Sequence, residues 1–246
     1  MSRRVTAGRA LRLLDLTNLN DDCREEDIAA LCRKASGAAG NVAAVCIWPR
    51  FVGLCRDHLA TTGISVAAVA NFPDGSANID RAVAETRQIV EAGGDEVDVV
   101  LPYKAWLAGN REQAKNLVSA CKRACDGTAH LKVILETGSL KSPENIAEAS
   151  RDAITAGADF IKTSTGKTDI SATPEAAEVM LTVIKETDGK TGFKAAGGIR
   201  TVEDAAKYLE IADRIMGPEW VSPQTFRFGA SGLLDDLLRR LADSGN

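Results

Sequence analysis

The sequence predicts an α/β fold, a (β/α)8 or TIM barrel with a short N-terminal helix. Short apolar runs alternate with longer alanine-rich stretches of helical period along the 246 residues. No linker or shift in composition interrupts this alternation, so we expect one domain over residues 1–246. Eight strand-helix units in about 250 residues match the size of a closed barrel. An open, doubly wound sheet is the alternative, but no G-x-G-x-x-G follows the first predicted strand.

The predicted strands are separated by intervals that each leave room for one helix and two loops. They are Leu13–Leu16, Ala43–Ile47, Val66–Val69, Glu96–Val100, Leu131–Glu136, Phe160–Lys162, Gly192–Ala195 and Arg214–Met216.

Capping signals support helices in these intervals. Ser142-Pro143 and Thr173-Pro174 each supply a capping hydroxyl followed by a proline suited to the first helical position. Thr201 and Asp204 form a capping box. The predicted helices include Val5–Arg12 at the N-terminus, Asn78–Ala92, Glu144–Ala156, Glu175–Glu186, Val202–Ile211 and Leu233–Leu241.

Composition and charge exclude several classes of function. With 30 basic and 34 acidic residues, the net charge of −4 argues against a nucleic-acid-binding surface and against attraction to an anionic membrane. The longest apolar run, Val42–Trp48, is too short to span a bilayer. Six cysteines without a C-x-x-C pair or a signal peptide predict free thiols and a cytoplasmic location. Two histidines make a metal site or a Ser-His-Asp triad a poor prediction.

Four charged residues interrupt predicted strands that are otherwise apolar: Asp15, Asp98, Lys162 and Lys194. Any one of them alone is typical of a buried ion pair or an exposed strand end. Together they lie on strands one, four, six and seven, whose side chains can converge at one mouth of a barrel.

Two lysines on adjacent strands favour chemistry at a carbonyl group. Burial and a second cation both favour the neutral, nucleophilic form of an amine, which attacks carbonyl carbons to form a Schiff base. A neighbouring carboxylate can move the protons that this reaction requires.

Glycine-rich segments near the last two strands indicate a phosphate site. Ala196–Arg200 and Phe228–Gly232 each precede a predicted helix, and their glycines let backbone N–H groups approach an anion. Thr163–Lys167 adds hydroxyls, a glycine and a cation to the same mouth. Each glycine pair alone is typical of a tight turn, but barrels often bind phosphate at these two loops.

These motifs, taken in order, resemble those of the deoxyribose-phosphate aldolase family from about Leu11 to Leu241. The matching segments are Asp15-Leu16-Thr17 with Leu19-Asn20, Asn71-Phe72-Pro73, Asp95–Val100, Glu136-Thr137-Gly138, Gly157–Gly166, Gly192–Gly198 and Arg227–Ser231.

The resemblance implies a class I aldolase on a (β/α)8 barrel, without a cofactor. Such an enzyme reversibly cleaves 2-deoxy-D-ribose 5-phosphate into acetaldehyde and D-glyceraldehyde 3-phosphate, and family members are commonly homodimers. It implies that Lys162 forms the Schiff base and that Lys194 perturbs it. Asp98 would donate and accept protons, and Asp15 would join Lys194 in a proton relay. The residues that the resemblance implies at the phosphate end are Gly166, Lys167, Gly197, Gly198, Gly229 and Ser231. Thr165, from the same loop as Gly166, is expected to bind substrate with them.

Two departures from the family pattern affect the expected details. Gly232 stands where many members carry a second serine, which removes one hydroxyl from the phosphate end. Some members have a C-terminal tail with a tyrosine that reaches the site, whereas this sequence ends in Ala242–Asn246. Glu136, which ends predicted strand five, is expected to order the mouth by hydrogen bonding, and Cys46 is interpreted as a buried, inert thiol.

Two other functions remain open at this point. One is another Schiff-base phosphosugar aldolase, of a transaldolase-like or 2-keto-3-deoxy type. The other is a barrel that binds a phosphate ligand without catalysis. Loss of catalysis would be expected to remove buried lysines, because a buried charge costs stability. Both lysines and both aspartates are present.

Overall fold

Eight parallel strands form a closed barrel in the computed structural model, which describes residues 2–187 and 189–242. Each strand pairs with the next along the chain, and the last pairs with the first. The strands are β1 Leu14–Thr17, β2 Ala44–Ile47, β3 Ser65–Ala70, β4 Glu96–Val100, β5 His130–Ile134, β6 Phe160–Lys162, β7 Gly192–Ala196 and β8 Phe226–Ala230. The predicted (β/α)8 barrel is therefore confirmed.

Helices surround the barrel on its outside. They are α1 Arg3–Leu11, α2 Glu25–Ala35, α3 Val52–Leu59, α4 Ile79–Glu91, α5 Tyr103–Leu107, α6 Arg111–Ala124, α7 Thr137–Leu140, α8 Pro143–Thr155, α9 Pro174–Thr187, α10 Val202–Met216 and α11 Leu233–Ala242. The predicted N-terminal helix is α1, which packs against α10 and α11 on the flank of the barrel. A short hairpin, Ser36–Gly37 with Gly40–Asn41, follows α2. Within the described residues, no helix is long and apolar enough to cross a membrane.

Helix starts follow the capping signals in the sequence. The Ser142 hydroxyl accepts the Asn145 N–H at the start of α8, with Pro143 at the first position. Thr201 and Asp204 form the predicted capping box at the start of α10. These helices therefore begin within a residue or two of their predicted positions.

The predicted eighth strand, Arg214–Met216, is wrong because these residues form the last turn of α10. The helix continues beyond its predicted end at Ile211 and stops at Gly217, whose φ of 92° ends the helical conformation. Ile215 and Met216 are apolar because they pack partly buried against the core, and this gave the segment the appearance of a strand. The eighth strand is instead Phe226–Ala230.

Alternation along β8 separates two environments. Phe226 and Phe228 pack their rings together, with centroids 5.0 Å apart, and Phe228 also meets Tyr208 of α10. Arg227, between them, points to the opposite side, into the barrel. The interior of such a barrel is normally filled with branched apolar side chains. Here it contains charged groups, which define the site described below.

Substituting Gly192 with alanine tests how tightly the interior is packed. A Cβ at Gly192 in β7 would overlap the Phe160 ring of β6. Gly192→Ala should therefore lower the free energy of unfolding by about 1–3 kcal/mol, because the ring must shift within a filled interior. The measurement is urea denaturation followed by circular dichroism.

Gly53→Ala in α3 is the matched control, because a Cβ there meets nothing within 4 Å. It should stabilise the protein by roughly 0.5–1 kcal/mol, since alanine favours helix over glycine. Equal effects from the two substitutions would contradict the packing argument.

Candidate active site

Seven charged side chains from six strands meet inside the barrel. None of them is more than 6% exposed. They are Asp15 of β1, Glu96 and Asp98 of β4, Lys132 of β5, Lys162 of β6, Lys194 of β7 and Arg227 of β8. The four predicted catalytic residues, Asp15, Asp98, Lys162 and Lys194, are thus brought together.

Asp98 contacts three lysines. Its Oδ2 accepts hydrogen bonds from Lys162 Nζ and Lys194 Nζ, both at 2.8 Å, and its Oδ1 accepts one from Lys132 Nζ at 2.9 Å. Lys162 and Lys194 are register partners on neighbouring strands, which explains why both ammonium groups reach the same oxygen. A carboxylate shared in this way can exchange a proton with either lysine.

Further contacts close a ring of alternating charges. Lys194 Nζ lies 2.5 Å from an Asp15 carboxylate oxygen. Arg227 contacts two carboxylates, that of Asp15 at 2.6 Å and that of Glu96 at 2.7 Å. Lys132 closes the ring, because its Nζ contacts Glu96 at 2.5 Å and Asp98 at 2.9 Å. We call these six side chains the charge ring: Asp15, Arg227, Glu96, Lys132, Asp98 and Lys194. Lys162 is attached to it through Asp98.

Contacts within the ring favour the charged forms of four of its members. Burial opposes ionisation of Asp15 and Asp98, but the surrounding lysines outweigh it and lower the pKa of both carboxyls, with Arg227 adding to the effect on Asp15. Burial likewise opposes charge on Lys132 and Lys194, but the neighbouring carboxylates hold the pKa of each above its usual range. These four groups therefore remain charged across the neutral pH range.

A cavity of about 540 Å³ opens above the ring. Of the seven buried charges, Lys162 alone is among its lining residues. All seven predicted substrate- and phosphate-binding residues also line it: Thr165, Gly166, Lys167, Gly197, Gly198, Gly229 and Ser231. The predicted carbonyl end and phosphate end thus belong to one cavity.

Glycine is required where the loops after β6 and β7 meet. Gly166, Gly197 and Gly198 have φ values of 77°, 87° and 82°, which disfavour any side chain. A Cβ at Gly197 would also lie 2.5 Å from the Ser171 side chain. In the described part of the chain, the N–H groups of Gly166, Gly198 and Gly232 donate to no acceptor. These donors are suited to bind an anion.

Side chains of the protein satisfy part of the N-terminus of α10. Its first N–H, on Val202, donates to the Asp236 carboxylate at 2.9 Å. Asp204 accepts from the N–H groups of Arg200 and Thr201, both at 3.2 Å. Among the described residues near β7, N–H groups without an acceptor are found both in the glycine loop, at Gly198, and in the first turn of α10, at Glu203.

Gly229 lies within β8, not in the loop after it as predicted. A Cβ at this position would be 2.9 Å from Ala196 Cβ and 3.0 Å from Lys194 Cε. The absence of a side chain at Gly229 therefore leaves space for the Ala196 and Lys194 side chains. Ser231 follows the strand and lines the cavity.

Two predicted binding residues make contacts within the protein. The Lys167 ammonium donates to the Leu19 carbonyl at 2.8 Å, which joins the loops after β6 and β1 across the mouth. The Thr165 hydroxyl donates to Glu136 at 2.5 Å and accepts the Lys167 N–H at 3.1 Å. Thr165 therefore shapes its loop through its side chain.

Three charged members of the ring were missed by the sequence reasoning. Lys132 interrupts the apolar run Leu131-Lys132-Val133, the same signal that singled out the four predicted residues. Glu96 is the first residue of its predicted strand, where a charged side chain is equally typical of an exposed strand end. Arg227 was not recognised as an interior residue because the eighth strand was placed elsewhere.

Cys46 lies at the edge of this cluster. It is fully buried, with its Sγ 3.9 Å from Asp98 Oδ2, and burial raises the pKa of its thiol. A protonated thiol is a weak nucleophile, which fits the interpretation of Cys46 as inert.

Lys132→Met should destabilise the protein strongly, because it leaves Glu96 and Asp98 without a shared buried cation. The expected loss in the free energy of unfolding at pH 7 is about 3–5 kcal/mol. A carboxyl with a lowered pKa adds stability that is complete above about pH 3.9 and is lost as the pH falls. The difference between the proteins should therefore stay constant from pH 7 to about pH 4 and shrink as the pH falls below about 3.9 in urea denaturation.

Lys122→Met is the matched control, because Lys122 pairs with Asp159 where both side chains are partly exposed. It should cost no more than about 1 kcal/mol. A similar cost for the two lysines would contradict the importance of the ring.

Comparisons with known proteins identify the family and the fold. A model of the DeoC/LacD family of aldolases matches residues 9–238. A solved structure of a candidate deoxyribose-phosphate aldolase from Toxoplasma gondii ME49 has a TM-score of 0.90 at 24% identity, covering 99% of this chain and 97% of the other. At that identity, the likeness shows the fold alone.

Two further structures are similar at somewhat higher identity. A candidate deoxyribose-phosphate aldolase from Coccidioides immitis is 28% identical, with a TM-score of 0.84 over 95% of this chain and 86% of the other. A deoxyribose phosphate aldolase from Aeropyrum pernix, described as tetrameric, is 27% identical, with a TM-score of 0.77 over 98% and 93%. The family match extends over most of the chain and includes every strand of the barrel, so this protein belongs to the DeoC/LacD family of aldolases.

Proposed function

We propose that this aldolase reversibly cleaves 2-deoxy-D-ribose 5-phosphate into acetaldehyde and D-glyceraldehyde 3-phosphate through a Schiff base on Lys162. One observation carries the proposal: Lys162 is the member of the buried cluster that lines the cavity, 2.8 Å from Asp98. The same cavity is lined by the three glycine-containing segments near the ends of β6, β7 and β8.

The reaction begins at the aldehyde carbon, C1, of the open-chain sugar. Lys162 transfers a proton to Asp98, and its neutral Nζ attacks C1 to give a carbinolamine, which loses water to form the imine. Lys194 shares the Asp98 oxygen with Lys162, and a second cation beside an amine favours loss of the amine's proton.

Cleavage follows when the hydroxyl on C3 loses its proton. The C2–C3 bond then breaks, its electron pair moves into the protonated imine, and D-glyceraldehyde 3-phosphate leaves. The resulting enamine is protonated at C2, and water releases acetaldehyde and regenerates Lys162. One water molecule is released when the imine forms and one is consumed when it is hydrolysed, so the reaction uses no net water.

Proton transfers are assigned to the part of the ring nearest Lys162. Asp98 serves the carbinolamine and the enamine, because it contacts the reacting nitrogen. Lys194 and Asp15, 2.5 Å apart, form the relay toward the substrate hydroxyl. Their opposite charges let a proton move between them without a large change in net charge.

The phosphate end is assigned to the free N–H groups of the loops. Gly166, Gly198 and Gly232 supply backbone donors, and Ser231 supplies a hydroxyl. This assignment predicts a preference for phosphorylated sugars. The homodimer, the cytoplasmic location and the extent of a single domain over residues 1–246 stay predictions from the sequence.

A product assay tests the proposed function directly. Purified protein with 2-deoxy-D-ribose 5-phosphate should release acetaldehyde and D-glyceraldehyde 3-phosphate in equal amounts. Lys162→Met should lower this activity by about 10⁴-fold or more, because the covalent step is lost. Lys185→Met, at an exposed lysine whose ammonium contacts the Ile215 carbonyl, is the control and should leave turnover unchanged.

Other outcomes of the assay contradict the proposal in different ways. Cleavage of a different phosphosugar without acetaldehyde would indicate another Schiff-base aldolase. Phosphate-ligand binding without any turnover would indicate the non-catalytic barrel. Turnover that survives in Lys162→Met would rule out a Schiff base at this lysine.

Substitutions at the phosphate end should change KM in opposite directions. Ser231→Ala should raise KM for deoxyribose 5-phosphate, since one hydrogen bond to a charged group, worth about 1.5–3 kcal/mol, is lost. Gly232→Ser should lower it, because a Cβ there meets nothing within 4 Å and the new hydroxyl reaches the same cavity. Initial-rate kinetics on deoxyribose, without the phosphate, provide the comparison. If KM for both sugars changed equally, Ser231 would not bind the phosphate.

A further inference from the structure

We propose that Glu136 is a positioning residue that holds the loop after β6 in its phosphate-binding shape and so makes the enzyme prefer phosphorylated sugars. This inference rests on the function proposed above. Glu136 follows β5 and does not line the cavity, so its effect must pass through the residues it contacts.

Glu136 is an unusual buried carboxylate. It is fully buried, its φ of 58° lies in the left-handed region, and among the described residues no Lys, Arg or His pairs with it. Its hydrogen bonds come from hydroxyl and N–H groups instead. Burying a polar group away from water and straining the backbone both cost stability, and backbone strain concentrates at functional sites.

Every hydrogen bond to the Glu136 carboxylate comes from one loop. The Thr165 hydroxyl donates to it at 2.5 Å and the Thr165 N–H lies 3.4 Å from both oxygens. The Thr168 hydroxyl lies 3.2 Å from the carboxylate and 3.1 Å from the Ile170 carbonyl, so its single proton is shared between two acceptors. The carboxylate therefore organises the segment from Thr165 to Thr168, which contains Gly166 and Lys167 of the predicted phosphate site.

The consequence for Gly166 follows from the direction of these bonds. Because the Thr165 hydroxyl gives its proton to Glu136, its lone pairs face the Lys167 N–H, which it accepts at 3.1 Å. This bond closes a tight turn around Gly166, whose φ is 77°. In that turn the Gly166 N–H has no acceptor in the described part of the chain and is available to an anion.

The residues after Glu136 hold both ends of the same loop. The Thr137 N–H donates to the Thr163 carbonyl at 2.9 Å, before the turn. Gly138 packs so closely against the Ile170 carbonyl, after the turn, that a Cβ would overlap it. The segment that carries Glu136 thus forms a fixed support for the loop.

A carboxylate suits this position better than an amide. The Thr165 hydroxyl and the Thr165 N–H both donate to it, and a carboxylate only accepts. In Glu136→Gln, one of the two oxygens that the Thr165 N–H approaches becomes an NH2 donor, which weakens the hold on Thr165. The size of the side chain is unchanged, so the packing of the barrel is kept.

Steady-state kinetics on two sugars test this role. Glu136→Gln should raise KM for deoxyribose 5-phosphate about tenfold and leave its kcat within threefold. For deoxyribose without the phosphate, kcat/KM should stay within twofold. Inorganic phosphate, used as a competitive inhibitor, should bind about tenfold more weakly to the variant.

Two further variants separate positioning from a general structural effect. Thr165→Val should reproduce the loss of phosphate affinity, and the double variant should be no worse than either single one, because both break the same contact. Ser150→Ala removes a buried hydroxyl within α8, where it donates to the Ile146 carbonyl, and should change neither sugar's kinetics. Thr165→Val also keeps the test available if Glu136→Gln does not fold.

Several results would overturn the inference. They are an equal loss of activity on both sugars, unchanged affinity for inorganic phosphate, and fully additive effects in the double variant. If the parent protein did not cleave deoxyribose 5-phosphate, the proposed function would fail, but calorimetry with inorganic phosphate would still decide the role of Glu136. Weaker binding in the variant would support it, and equal binding would contradict it.

Discussion

The alternating charge ring inside the barrel is the interaction on which the rest of the structure depends. A single buried charge is very unfavourable, and a pair offsets that cost only when hydrogen bonds satisfy both members. Here each of the six ring members contacts at least two groups of opposite charge, contributed by five different strands. Because loss of any one member takes an opposite charge from two buried neighbours, the ring ties together the strands at the centre of the barrel.

The ring also distinguishes the lysines from one another. Lys132 and Lys194 each contact two or more carboxylates, which keeps them charged. Lys162 contacts one carboxylate, Asp98, and lines the cavity. It is therefore the lysine best placed to give up a proton and meet a substrate. Asp98 links the two functions, because it belongs to the ring and is also the partner of Lys162. The loops near the strand ends then add the proposed phosphate-binding region to the same cavity, and Glu136 contacts one of these loops.

Much of this arrangement could be predicted from the sequence, because strand periodicity and charge in apolar runs are local signals. These signals identified Asp15, Asp98, Lys162 and Lys194, as well as seven strands. They failed at Arg214–Met216, where the apolar last turn of α10 has the same short-range pattern as a strand. That error concealed Arg227 and placed Gly229 in a loop. The pairing of Lys132 with Glu96, and the occupation of the α10 N-terminus by Asp236, depend on contacts between distant segments that no local pattern reveals.

The most direct test of this account is to trap the covalent intermediate. The protein is incubated with deoxyribose 5-phosphate, reduced with sodium borohydride, digested and mapped by mass spectrometry. The account predicts a reduced adduct on the peptide that contains Lys162, at that residue, and its absence in Lys162→Met. An adduct on Lys194 would contradict the distinction that the ring makes between the two lysines. No adduct at all in a folded protein that turns over substrate would contradict the Schiff base itself.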